Sequence, residues 1–397
     1  MIPIIDRKNL IFIIALFFEV LAMMISITTI PYMVDNYTCN LLLKMLRYLG
    51  YAIILFKILN DDFTVIEITA ILAVTVVLML NSVTVGGNTL LCLFLFVIGM
   101  RNVDFKLVCK ISLLWYLLGI AITILGSQCG LIENWDYTSG ARVRHALGYF
   151  YPSHATSVML YTMCLFCYVL GNKLTFWQVI LLEVLNILQY KETNARAGTL
   201  LMVIMPILFW TIKIDKKKIS ERLYGTILTL AFPVCAMLSI LISLIYSGNG
   251  ILLKINNMLS NRFSLAHEAL KEYGVSAFGE EIKWIGNGGY GYVFTHFDES
   301  YNYVDCSYVR ILLDYGVIFF VIVIIGFSLA ARKAKQENDK YLLLSLAFVA
   351  MYSIIEPRLL EIGFNNFVLV LVSLIPKKEN TKMGFARGGV LHAGNNT

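Results

Sequence analysis

Two arginines, two histidines and several aromatics crowd one stretch: Trp135-Asp136-Tyr137, then Arg142-Val143-Arg144-His145, then Tyr149-Phe150-Tyr151-Pro152-Ser153-His154. Farther along, Arg196 stands in Lys191-Glu192-Thr193-Asn194-Ala195-Arg196-Ala197-Gly198, Arg262 in a helix-patterned run, and Asp305 ahead of Cys306-Ser307-Tyr308-Val309-Arg310. A guanidinium is planar and permanently charged, and it donates paired hydrogen bonds to carboxylate or phosphate. A histidine or carboxylate beside it can serve as a general base. Together these types could hold an anionic group while a proton moves. Each also has a plainer account. Tyr149 and Tyr151 suit the aromatic belt of a membrane boundary, and an arginine at a hydrocarbon edge can snorkel to the headgroups. Asp305 could simply cap a helix. Arg262 could lie exposed beside an apolar stripe.

What must position these residues is a membrane-embedded chain. Of 397 residues, 58% are hydrophobic and only 15% charged, with mean hydropathy +0.74. Those values exclude a soluble multidomain protein and a disordered, fibrous or disulfide-stapled one. Apolar runs fall at 9–31, 41–59, 64–82, 88–100, 107–127, 152–171, 174–190, 197–212, 223–246, 305–330, 341–355 and 363–375. At about 20 residues per span, they predict an all-α polytopic membrane protein of about twelve transmembrane helices. Residues 1–376 form one integral membrane domain, and 377–397 a polar cytoplasmic tail. Asp6-Arg7-Lys8 leads into an apolar run too long for a signal peptide. Cys164 and Cys167 lie inside a span and read as packing rather than a redox pair.

Basic residues set the expected orientation. With both termini cytoplasmic, 20 of the 32 Lys and Arg residues lie inside, including Lys216-Lys217-Lys218, Arg332-Lys333 and Lys377-Lys378. Ten lie outside, and six of those are arginine: Arg142, Arg144, Arg196, Arg262, Arg310 and Arg358. Orientation needs only positive charge, so a bias toward the planar fork suggests recognition of phosphate or carboxylate on the outer face.

Two outer segments, 128–151 and 247–304, are long enough to build a site. In the second, Leu252, Ile255, Leu259, Phe263, Ala266, Leu270 and Tyr273 recur at helical spacing. This predicts an amphipathic helix, or a broken pair, lying on the membrane or capping a cavity before the tenth span. Gly286-Asn287-Gly288-Gly289-Tyr290-Gly291 spells GxGxxG without the strand and helix of a dinucleotide site, and reads as a flexible loop. Asp314, deeper in an apolar run, is expected to avoid lipid. No zinc-type spacing links His145, His154, His267 and His296, and Asp61-Asp62 falls on the cytoplasmic side. No metal, cofactor or nucleic acid is expected.

These fragments, in order over about residues 140–320, resemble the bacterial O-antigen and capsular polysaccharide polymerases, relatives of the O-antigen ligases. Arg142-x-Arg144-His145-x-Leu147-Gly148-Tyr149-x-Tyr151-Pro152 is similar to a segment ending Gly-Phe/Tyr-x-His-Pro-Asn. Thr193-Asn194-Ala195-Arg196-Ala197-Gly198 resembles Thr-x-Ser-Arg-x-Gly. Asn261-Arg262 with Leu270 and Gly286-Asn287-Gly288 resembles Gly-Arg…Ala-Leu…Gly-x-Gly, and Asp305-Cys306-Ser307-Tyr308…Leu313-Asp314-Tyr315-Gly316 resembles Asp-Asn-x-Tyr…Leu…Gly. Tyr151, Ser153, Ala195 and Cys306 depart from the pattern, which argues against roles for His154 and Cys306. Asp305 stands where ligases carry histidine, which favours a polymerase.

The resemblance implies metal-independent glycosyl transfer between polyprenyl-pyrophosphate-linked oligosaccharides at the outer leaflet of the bacterial plasma membrane. It implies a helical bundle with a partly helical outer loop, and a flippase and chain-length regulators as partner proteins. Arg196 and Arg262 would stabilise the leaving pyrophosphate, and Arg142 and Arg144 would hold the second lipid-linked chain. Tyr308 and Asn194 join them as substrate-binding candidates. Asp305 and His145 are the candidate bases, with Asp305 ahead. The rival readings are a ligase and a lipid-linked oligosaccharide transporter.

Overall fold

Helix starts are written into the sequence as side chains that accept from the first free backbone N–H groups. In the computed structural model, Asp35 accepts from Thr38 N at 2.9 Å and opens α3 (Asn36–Leu59). Thr64 and Glu67 form a capping box for α4 (Val65–Val85), and Asp104 opens α6 (Phe105–Gln128). Thr175 and Gln178 repeat the capping box for α8 (Phe176–Thr193). Further helices among the described residues are α1 (Arg7–Ser26), α2 (Ile30–Val34), α5 (Thr89–Gly99), α7 (Pro152–Leu170), α9 (Arg196–Ile214), α10 (Ala231–Ile245), α11 (Gly250–Met258), α12 (Arg262–Tyr273), α13 (Ser307–Gln336) and α14 (Lys340–Tyr352). A 3-10 stretch, Asn366–Leu374, follows. The structure describes residues 6–139, 142–214, 225–286 and 301–376. The lysine run 216–218, the glycine-rich run from Asn287, His296, the tail 377–397 and the side chain of Arg142 lie outside the described residues.

The chain is a helical multi-pass membrane protein, but the expected count of twelve spans does not hold. Among the described residues, six helices are long and apolar enough to cross a bilayer, or seven if the bent pair α10 and α11 counts as one. Each of the twelve apolar runs does fall on an element; length and polarity separate runs from spans. Helix α5 has 11 residues and reaches about 16 Å, against a hydrocarbon core of about 30 Å. Helix α14 is also short, and the last run is a nine-residue 3-10 stretch. Helices α3 and α8 are long enough but too polar, carrying Lys44, Arg47 and Lys57 in one and Glu183, Lys191 and Glu192 in the other. Val83 on α4 and Trp177 on α8 are 83% and 77% exposed, apolar surface that a lipid environment accommodates.

Helices α7 and α14 are the buried centre, packed against each other and against α9. The structure has two ends. At one, Lys8 and Lys57 pair with Asp61 at 2.7 and 2.6 Å, Asp104 N donates to Asn9 Oδ1 at 2.9 Å, and Lys340 Nζ donates to Ile212 O at 2.9 Å. At the other, Thr29 meets Gly148 and Glu133, and Arg144 meets Thr193.

One further element departs from expectation, and the stripe before α13 takes the second of its two expected forms. The chain is not wholly α: β1 (Asp136–Ser139) and β2 (Arg142–His145) form an antiparallel hairpin, with Tyr137 opposite Arg144 and Asp136 opposite His145. The helical stripe of 252–273 is two helices, α11 and α12. The break is at Ser260 and Asn261, whose φ angles of 58° and 64° lie in the left-handed region.

Candidate functional site

A cavity of about 660 Å³ lies where the hairpin, the α8–α9 turn, the α11–α12 turn and the segment after α14 meet. Arg144, Arg196, Arg262 and Arg358 line it, one from each of those four segments, with the carboxylates Asp305 and Glu356. Trp284, Tyr301 and Tyr303 form an aromatic part of its wall.

Each arginine is placed by local chemistry. Strand alternation sends neighbouring side chains to opposite faces. Arg144 therefore turns into the cavity, where its Nε donates to Thr193 O at 2.9 Å and its guanidinium lies 5.4 Å from the Tyr151 ring. His145, next in the strand, points away, 2.6 Å from Asp136 Oδ1 and outside the cavity lining. Arg196 opens α9 because Asn194, at φ 48°, ψ 40°, ends α8 in the left-handed conformation that asparagine tolerates. Gly198 lets that first turn press against Thr156 and Tyr352; a Cβ there would stand 2.6 Å from Thr156 Cγ2.

Arg262 opens α12. The buried Asn256 accepts from Phe263 N at 2.9 Å and Ser264 N at 3.1 Å, while its Nδ2 reaches Asn261 Oδ1 at 3.2 Å. The Arg262 Nε then donates to Asp305 Oδ2 at 3.1 Å. Asp305 is thus not the cap of α13; that position is Cys306, with no side-chain cap bond. Burial works against the Arg262 charge, but Asp305 and Glu356 outweigh it and hold the guanidinium more firmly protonated than usual.

Glu356 and Arg358 are stitched beside Asp305. Ser307 N donates to Ser353 O at 2.9 Å, and Leu359 N donates to Ser307 Oγ at 3.2 Å, joining the start of α13 to the segment after α14. Arg358 Nε donates to Glu356 Oε1 and its Nη1 to Glu361 Oε2, both at 2.8 Å. The guanidinium carbon sits 3.9 Å from the Phe364 ring centroid. Burial pushes the Glu356 pKa up; Arg358 pulls it back, and Asp305 adds to the rise.

The aromatic wall is anchored by Asp314, which the sequence expects to avoid lipid. It accepts from Trp284 Nε1 at 2.7 Å and from Arg310 Nε at 3.3 Å. Arg310 in turn lies 5.1 Å from the Trp284 ring centroid and 4.7 Å from that of Tyr303. The loop bearing Trp284 hooks into α13 at Gly316, where φ is 79° and the helix is broken. A Cβ on Gly316 would collide with the backbone of Ala277 and Gly279, so only glycine fits.

Among the sequence candidates, the cavity therefore gathers Asp305, Arg196, Arg262 and Arg144. Asn194 acts through its backbone turn and does not line the cavity. Tyr308 is fully buried, and its hydroxyl donates to Ala350 O at 2.9 Å. His154 does line it, although the departures from the family pattern argue against a role. Sequence reasoning passed over Glu356, Tyr352, Trp284, Tyr301 and Tyr303. A carboxylate at the end of an apolar run, as in Ile355-Glu356-Pro357-Arg358, was the available signal.

Charge is unequally matched in this space. Arg262 and Arg358 have carboxylate partners, whereas no carboxylate among the described residues pairs with Arg144 or Arg196. The cavity can therefore accept an anion by charge-assisted hydrogen bonds. No family model matches the chain, and neither a curated protein nor a solved structure matches it.

Proposed function

We propose that the chain is a polysaccharide polymerase of the bacterial plasma membrane, joining polyprenyl-pyrophosphate-linked oligosaccharide repeats in capsule, O-antigen or exopolysaccharide synthesis. The main support is the convergence of Arg144, Arg196, Arg262 and Arg358 on one cavity, two of them without carboxylate partners among the described residues. A pyrophosphate leaving group carries charge complementary to that surplus. In the proposed reaction an acceptor sugar hydroxyl attacks the anomeric carbon of the donor. The bond to the pyrophosphate oxygen breaks, and negative charge grows on the departing group. Fixed guanidinium groups stabilise that charge without reorganising. Arg196 and Arg262 take this role, Arg144 holds the second lipid-linked chain, and a cavity carboxylate receives the hydroxyl proton. Asp305 fits that duty better than His145, which faces away from the cavity.

The cavity faces the outer leaflet in this reading, because the lysine-rich termini and loops favour the cytoplasm. Purified protein incubated with its lipid-linked repeat unit is expected to give a ladder of longer lipid-linked chains, undiminished by EDTA. Transfer only onto a different acceptor would identify a ligase. Movement of the lipid across a bilayer without new linkages would identify a transporter. Loss in EDTA that magnesium or manganese specifically restores would overturn the metal-independent mechanism.

A further inference from the structure

Among the described residues two carboxylates, Asp305 and Glu356, line the cavity, and their surroundings differ. Among the described residues Asp305 is held by Arg262, whose Nε donates to Oδ2 at 3.1 Å. Glu356 is only 5% exposed, and its partner Arg358 is shared with Glu361. Its second oxygen, Oε2, meets the Tyr352 hydroxyl at 3.5 Å, and Tyr352 lies 2.9 Å from Ser157 Oγ. Ser157 Oγ in turn reaches Ser153 O at 2.9 Å.

Each hydroxyl has one hydrogen, so this chain has two complete orientations. With Glu356 ionised, Ser157 donates to Tyr352 and Tyr352 donates to Glu356. With Glu356 protonated, the carboxyl donates to Tyr352, Tyr352 to Ser157, and Ser157 to the Ser153 carbonyl. Both charge states thus leave every hydroxyl of the chain with a partner, across a Glu356–Tyr352 contact that at 3.5 Å is its longest link. A group that alternately takes and releases a proton in a buried wall needs that property. Asp305 has no such hydroxyl chain among the described residues; its contact there is the Arg262 guanidinium.

We propose that Glu356, rather than Asp305, takes the proton from the acceptor hydroxyl, while Asp305 fixes Arg262 toward the pyrophosphate. The inference rests on the polymerase reading. As the new glycosidic bond forms, the hydroxyl proton passes to Glu356, and the bonding pair leaves with the pyrophosphate. Glu356 then returns the proton to water or to the departing anion. Among the described residues, the charged and titratable groups facing Glu356 are Arg358 on its own segment, Arg262 on α12, Asp305 before α13, Tyr352 on α14 and Tyr161 on α7. Burial and Asp305 raise its proton affinity, whereas Arg358 and Arg262 lower it, with the net shift upward.

The base form is the ionised one, so turnover should climb with pH through the raised Glu356 pKa. The E356Q variant should lose about 10²-fold in turnover and flatten that limb, with affinity for the lipid-linked repeat unchanged. The E356D variant should retain more activity than E356Q, at a lowered rate, with the limb displaced. D305N should weaken binding of the lipid pyrophosphate and leave the limb in place. Wild-type turnover in E356Q, or a limb abolished by D305N and kept in E356Q, would overturn the assignment. Infrared titration adds a reading free of turnover. A protonated-carboxyl band should persist above the ordinary glutamate range and move in E356D; its absence sinks the proposal even if E356Q fails to insert. If the wild-type protein builds no ladder, the polymerase reading fails by itself, and the infrared band still decides the state of Glu356.

Discussion

Arg196 opens α9 on the cavity with no carboxylate among the described residues to neutralise it. A lysine would keep the charge but lose the planar fork that grips two phosphate oxygens. The R196K variant is expected to lower turnover on the lipid-linked repeat by about 10²-fold and to shorten the polymer, with normal amounts of protein in the membrane. Wild-type chain length from R196K would remove Arg196 from the site. The H145A variant should leave turnover at the wild-type value, because that imidazole is engaged by Asp136 away from the cavity. These two residues mark what was legible. The bias toward arginine in one set of loops was visible in the sequence. The opposite facing of Arg144 and His145 was not, since it follows from a strand pairing that neither charge nor hydropathy announces. Glu356 escaped notice because a glutamate after an apolar run looks like an ordinary helix end until Ser307 draws that segment toward Asp305.

Elements were legible as positions more than as lengths. Hydropathy found every apolar run, but it reports composition and is blind to how a run is wound. Residues 363–375 illustrate this. Asn365 Nδ2 donates to Leu359 O and Asn366 Nδ2 to Ile362 O, both at 2.8 Å, while Asn365 Oδ1 accepts from Phe367 N at 3.2 Å. Asparagines that compete for backbone groups in this way disfavour a regular α-helix. The result is a 3-10 stretch too short to span. The break between α11 and α12 likewise depends on Asn256, a residue that nothing in the amphipathic pattern singles out. Its carboxamide satisfies two N–H groups at the start of α12 and so fixes the direction of Arg262. The N256A variant is expected to lose about 2 kcal/mol of stability, read as a lower thermal midpoint in detergent. Turnover should fall with it, because Arg262 loses its mount. An N256D variant keeps the acceptor oxygen and should recover part of the stability; if both variants match wild type, Asn256 does not hold the turn.

At the scale of the whole molecule, charge is sorted between two ends. Lys8, Lys57, Arg101, Lys106 and Lys340 gather at one, with Lys57 Nζ donating to Arg101 O at 2.8 Å and Lys106 lying 5.9 Å from the Tyr168 ring. The arginine-lined cavity is at the other. Lysine-rich short loops are retained in the cytoplasm during insertion, so the cavity end is expected outside. Cys129, exposed just after α6 and near the hairpin, offers a native probe of that expectation. An impermeant thiol reagent applied to intact cells should label Cys129, and a C129S variant should lose that label. A K335C substitution in the C129S background, beyond most of α13 at the opposite end, should react only after the cells are permeabilised. The reverse pattern would place the guanidinium groups in the cytoplasm, where an outer-leaflet pyrophosphate cannot reach them. It would end the polymerase reading whatever the cavity's chemistry, because the position of the substrate lipid and the position of the arginines must coincide for that charge surplus to act.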